Sequence, residues 1–82
     1  MKVVEFTEYL VKSLVKDPDS VSVKEFTTDE ENTIQIEVLV SEDDMGKVIG
    51  RNGKIINSIR TIVQASSSIY DNKKVKINVD SY

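Results

Sequence analysis

A chain of 82 residues with a formal net charge of −3, no cysteine and no histidine suffices for one domain, residues 1–82, built from one sheet and a few helices. Disulfides and thiolate metal sites are excluded and the commonest general base is missing, so a binding module without metal or cofactor is expected, not an enzyme. The opening Met1-Lys2-Val3-Val4-Glu5 begins no sustained apolar stretch, so neither a signal peptide nor a membrane span is expected and the chain reads as cytoplasmic.

From Val3 to about Lys16, Val3, Phe6, Leu10 and Leu14 recur at spacings of three and four, broadened by Val4 and Val11. That spacing predicts an amphipathic helix, with Glu5, Glu8 and Lys12 facing away. Asp17-Pro18-Asp19 ends it, because proline lacks the N–H that a continuing helix needs. Val21-Ser22-Val23, leading to Phe26, and Ile34-Gln35-Ile36-Glu37-Val38-Leu39-Val40 alternate as strands, and the polar run from Thr27 to Asn32 joins them as a hairpin. Ser41 followed by Glu42, Asp43 and Asp44 has the pattern of a capping hydroxyl with carboxylates in a first helical turn, which explains these acids better than a divalent-ion site does. Gly50 keeps this helix short. A second helix resumes near Lys54, carries Ile55, Ile56, Ile59, Ile62 and Val63 on a wide apolar face, and frays at Ser66-Ser67-Ser68. Asp71-Asn72 supplies a turn, after which Val75, Ile77 and Val79 alternate with Lys74, Lys76 and Asn78 as a last strand.

The order α-β-β-α-α-β predicts an α+β fold in two layers, a three-stranded sheet covered on one face by three helices. Ile34, Ile36, Val38, Val75, Ile77 and Val79 should point inward, meeting Phe6, Leu10, Leu14, Ile56, Ile59 and Val63. Leu39 points to the opposite face, either as an ordinary exposed apolar residue or as part of a contact surface.

Gly46, Gly50 and Gly53 are the chain's only glycines, and they fall in the phrase Gly46-Lys47-Val48-Ile49-Gly50-Arg51-Asn52-Gly53-Lys54-Ile55-Ile56. Through Met45, four lysines face twelve acids; from Gly46 onward, seven basic residues face Asp71 and Asp80. Small acidic proteins also segregate charge by chance, yet here the basic half contains the glycines. A tight turn into a helix start presents free N–H groups and the positive end of a dipole. Gly50 and Gly53 would admit a phosphodiester to backbone distance, while Arg51, Lys54 and Lys47 add charge and Asn52 tolerates unusual backbone angles. Gly46 would either relieve crowding in the short helix or let nucleic acid pass. Other phosphate motifs fail on spacing: a Walker loop would need glycine at Val48 and Ser or Thr at Ile55, and a dinucleotide fingerprint would need glycine at Val48 directly after a strand.

Val48-Ile49-Gly50-Arg51-Asn52-Gly53-Lys54-Ile55-Ile56-Asn57-Ser58-Ile59 resembles the signature of K-homology (KH) domains, and a motif placed after a helix and two strands resembles their bacterial type II arrangement. Over essentially the full chain, including Asp17-Pro18-Asp19, the run Asp44 to Gly50 and Ser58 to Val63, it is similar to small free-standing bacterial KH proteins of the KhpA family. The resemblance implies a clamp for single-stranded RNA, with Gly50, Arg51, Asn52 and Gly53 gripping the backbone, Gly46, Lys47 and Lys54 beside them, and bases lying over an apolar groove. That groove would use Ile49, Ile55 or Ile56, and the strand around Val38 to Val40; plain core is the competing reading for Ile56 and Ile59. No aromatic residue lies near the motif, so modest affinity and weak sequence preference are expected. Lys73, Lys74 and Lys76 either extend the RNA track or form the wet face of a strand.

The second helix carries more aliphatic positions than a small sheet requires. Ile55 and Ile62, with small Ser58 and Ala65 beside them, either form a dimer contact or pack on the first helix. The resemblance implies the former, since KhpA-like proteins are homodimers and partners of a larger KH protein of the KhpB (Jag, EloR) type, linked to cell elongation and envelope regulation. It implies an RNA chaperone or post-transcriptional regulator; the alternative is an adaptor that works mainly by docking that partner.

Overall fold

The structure is a computed structural model describing residues 1–82. Its elements are α1 (Val3–Lys12), β1 (Ser22–Phe26), β2 (Thr33–Val40), α2 (Met45–Ile49), α3 (Lys54–Tyr70) and β3 (Lys74–Ser81), with 3-10 turns at Pro18–Ser20, Glu42–Asp44 and Arg51–Gly53. The order α-β-β-α-α-β is therefore the expected one. β2 lies in the middle of the sheet, antiparallel to β1 and parallel to β3. Parallel strands need a crossover, and that crossover is the segment containing α2, the glycine loop and α3.

Alternation decides which face is covered. Ile34, Ile36, Val38 and Val40 on β2 and Ile77 on β3 are buried against the helices, joined by Ile56, Ile59 and Val63 of α3 and by Val48 of α2. Val75 and Val79 are half-buried at the margin. The register puts Lys24 and Phe26 of β1, Glu37 and Leu39 of β2, and Lys74 and Lys76 of β3 on the outer face.

Four local expectations need correction. The innermost line of α1 is Val3, Thr7 and Val11, with Phe6 and Leu10 half-buried beside it and Leu14 beyond the helix end, 38% exposed. Thr7 can lie inside because its hydroxyl donates to the Val3 carbonyl at 2.9 Å, leaving its methyl to pack. The helix stops at Lys12 rather than near Lys16. The next backbone groups are committed elsewhere: the N–H groups of Lys16 and Asp17 donate to the two oxygens of the Asp44 carboxylate, at 3.1 and 3.0 Å.

That bond also displaces the capping reading of Ser41. No side chain caps the turn or α2; the Ser41 hydroxyl instead donates to Asp44 Oδ2 at 3.1 Å. Asp44 does lie in an acidic turn, but its carboxylate serves as a buried bolt between two segments nearly thirty residues apart in sequence. Nor do the three serines mark fraying. Ser67 is buried, its hydroxyl donates to the Lys73 carbonyl at 2.7 Å, and its own carbonyl accepts from the N–H groups of Asp71 and Asn72, so α3 continues to Tyr70. Asn72 then turns the chain with φ 54°, a left-handed conformation asparagine tolerates.

Candidate nucleic-acid interface

The loop between α2 and α3 is made by three residues in left-handed backbone: Gly50 (φ 77°), Asn52 (φ 57°) and Gly53 (φ 73°). Gly50 closes α2, donating its N–H to the Gly46 carbonyl at 2.9 Å, and its own carbonyl accepts from Gly53 N–H at 3.2 Å. A β-carbon on Gly50 would lie 2.6 Å from Ile55 Cγ1, so packing and backbone both demand glycine there. At Gly53 a β-carbon would make ordinary contacts, 3.7 Å from Asn57 Nδ2, and the demand is one of backbone conformation. Gly46 differs from both. It is helical, exposed, and has nothing within 4 Å of where its β-carbon would be, so it relieves no crowding inside the molecule.

Gly53 is the N-cap of the 17-residue α3, with no side-chain cap and no acid in the first turn, so the positive end of the helix dipole is uncompensated. The molecule's ion pairs are Lys12–Glu8, Lys47–Asp44 and Lys76–Glu30, which leaves the exposed Arg51 and Lys54 unneutralised beside that helix end. Lys47 is otherwise placed: its ammonium sits 3.3 Å from Asp44 Oδ1. Asp44 is held ionised, its pKa lowered to about 2 chiefly by the Lys16 N–H, against the upward push of burial, and further by the Asp17 N–H, the Ser41 hydroxyl and Lys47. No three carboxylates converge to hold a metal ion.

Of the aliphatic residues expected to line a groove, Ile49 and Ile55 are half-buried at the surface. Ile56, Val38 and Val40 are core, because β2 is the central strand and its inward side chains lie wholly under the helices. The lysines of the last strand lie elsewhere: α3 runs about 25 Å from the loop to the turn before β3, Lys74 and Lys76 are on the sheet's outer face, and Lys76 pairs with Glu30.

Two polar residues beyond the loop were not singled out by the sequence. Asn57 and Arg60 follow Gly53 at i+4 and i+7, on one flank of α3, and that flank runs along the free edge of β3. Arg60 donates to the Ile77 carbonyl from Nη2 at 3.0 Å and Nε at 3.4 Å, and from Nη1 to Asn57 Oδ1 at 3.0 Å. One turn on, Gln64 accepts from Val75 N–H at 2.9 Å and donates to the Lys73 carbonyl at 3.0 Å. The spacing from Gly53 was the available signal, but it has force only once the strand edge is known to lie there.

On the opposite flank, Ile55, Ser58 and Ile62 join Leu10, Leu14 and Ile59 around an apolar hollow of about 390 Å³ between α1 and α3. Ile62 is 47% exposed, so α1 does not cover it. Ala65, expected in the same patch, is exposed and does not line the hollow. No helix is long and apolar enough to cross a membrane.

Comparison with known proteins gives the family and a shared fold. The family model described as KhpA/KhpB, KH domain, matches residues 4–79. The RNA-binding protein KhpA of Clostridium perfringens is 45% identical over 75 residues, covering 92% of this chain and 96% of that protein. KhpA of Clostridium acetobutylicum is 41% identical over the same shares. Among solved structures, Era in complex with MgGDPNP and nucleotides 1506–1542 of 16S ribosomal RNA superposes with a TM-score of 0.69 at 19% identity. That match covers 96% of this chain and 29% of the Era chain, and establishes a shared fold over that part.

Proposed function

Because the chain belongs to the KhpA/KhpB KH-domain family, we propose that it binds single-stranded RNA by clamping the sugar-phosphate backbone on the Gly50–Gly53 loop. One observation carries the reading: three left-handed positions within four residues, Gly50, Asn52 and Gly53, open an uncapped helix start flanked by two unpaired cations, Arg51 and Lys54. Backbone N–H groups and a helix dipole hold phosphate without reading sequence, and Arg51 and Lys54 add charge that follows the strand. Lys47 lends less, since it already answers Asp44. The RNA-binding name carried by the KhpA relatives supports the same class of ligand. A cytoplasmic RNA chaperone or post-transcriptional regulator acting in cell elongation is the role proposed for such a clamp.

Replacing Arg51 and Asn52 together by Asp should abolish binding to single-stranded RNA while circular dichroism and melting temperature stay nearly unchanged. Binding that survives the double substitution would remove the clamp assignment. Three or four contacted phosphates give a slope of log K against log salt of about −2 to −3.

The hollow between α1 and α3 supports a second reading, self-association, because Ile62 is left open beside an apolar recess. A larger KH protein of the KhpB type would compete for that face. Ile62→Asp should give a folded monomer in sedimentation; an unfolded variant would make Ile62 part of the core instead.

A further inference from the structure

Gly53, Asn57, Arg60 and Gln64 form one stripe on α3, and its lower members are fastened to the free edge of β3. Arg60 lies about 10 Å from Gly53 along the helix axis. A four-nucleotide stretch, at about 3.4 Å per nucleotide even when stacked, is long enough to reach it from the loop.

The guanidinium there is unusual in what it has left to offer. Nε, Nη1 and Nη2 each spend an N–H on the Ile77 carbonyl or Asn57 Oδ1, and these in-plane bonds fix the orientation of the plane. Both acceptors are neutral, and none of the molecule's ion pairs involves Arg60, so its charge is undiminished. Of the five N–H groups, one on Nη1 and one on Nη2 are left over, so any further hydrogen bonding is confined to the plane's edge. What the residue offers beyond that edge is an exposed cationic plane held in one orientation. The chain's five aromatic residues, Phe6, Tyr9, Phe26, Tyr70 and Tyr82, lie on α1, on β1, at the last residue of α3 and past β3, none on this flank.

We propose that Arg60 is the stacking plate of the RNA groove, holding one nucleobase of the clamped strand against the face of its guanidinium where many single-strand binders use an aromatic ring. The proposal rests on the RNA-binding reading above and gives this site a base contact that carries no dependence on a particular base.

The test uses a short labelled oligoadenylate and copies of it with one base removed at successive positions, titrated against the full chain by fluorescence anisotropy. Arg60→Lys and Arg60→Gln should each weaken binding to the intact strand about tenfold, with the salt slope unchanged. Lysine fails to rescue because it keeps the charge and loses the plane. At one abasic position the wild-type protein should lose a similar factor, and Arg60→Lys should cost nothing more there. Asn57→Ala, which leaves the clip to Ile77 in place and frees only the other side of the plane, should give a smaller loss of the same kind in a protein that melts normally. The proposal is overturned if Arg60→Lys retains wild-type affinity while Arg60→Gln lowers the salt slope by about 0.7, the mark of a single phosphate contact. It is equally overturned if both variants bind as the wild type does, which would leave Arg60 a helix-to-strand clip. Wild-type protein that binds none of the strands would instead overturn the RNA reading itself.

Discussion

At the scale of single residues, the glycines divide by what surrounds them. Gly50→Ala forces an L residue to φ 77° and a β-carbon to 2.6 Å from Ile55, so urea denaturation should show a loss of about 1–3 kcal/mol. Gly46→Ala meets nothing in the protein and removes a flexible residue from a helix, so it should raise stability by about 0.5–1 kcal/mol. If the strand passes over α2, the same substitution should weaken RNA binding, and a stabilised variant with undiminished affinity would place the strand elsewhere. Asp44 governs the acid limb. Its folded pKa of about 2 lies below the ordinary 3.8, so the ionised carboxylate's contribution is complete above about pH 4 and is lost as pH falls through about 2. Asp44→Asn should lower the melting temperature at neutral pH and flatten its decline in that window. The glycines could be read from the sequence because rarity and clustering announce them. Asp44 could not: its partners are backbone N–H groups of Lys16 and Asp17, which have no side-chain signature, and its neighbour Ser41 imitated a cap.

Among the elements, α3 is the informative one. Its buried line, Ile56, Ile59 and Val63, was legible from period alone, as was the surplus of aliphatic positions at Ile55 and Ile62. Its other flank was not, because asparagine, arginine and glutamine at helical spacing normally face water, and only the path of β3 gives them partners. Parallel pairing of β2 with β3 leaves the outer edge of β3 open, and Gln64 and Arg60 cover part of it with side-chain donors and acceptors. Gln64→Ala deletes the bond from Val75 N–H in that strand and the bond to the Lys73 carbonyl just before it. Amide exchange at Val75 should accelerate about fivefold, the factor for a net hydrogen bond of about 1 kcal/mol, while Ile36 in the central strand keeps its protection. Uniform acceleration of both amides would mean that the strand opens only with the whole molecule.

For the molecule as a whole, α3 separates two surfaces. Its flank along β3 carries the polar stripe below the loop, and its flank along α1 carries the hollow around Ile55 and Ile62. Lys54 and Ile55, at the loop's end of α3, line that hollow too, so a second copy seated on it would meet residues that the proposed clamp also uses. The charge of this net-acidic chain is likewise a matter of placement. The loop's unpaired cations stand apart from the Glu30–Lys76 pair on the far face of the sheet.

The parallel pairing also sets an order in time. The chain must pass through α2, the loop and α3 before it can lay down β3, the strand to which α3 is fastened. On a ribosome, Gly50 to Gly53 exist before the Ile77 carbonyl does. A nascent chain therefore carries the glycines with no fastened helix behind them, and α3 gains its hold on the sheet only when the last strand is laid down.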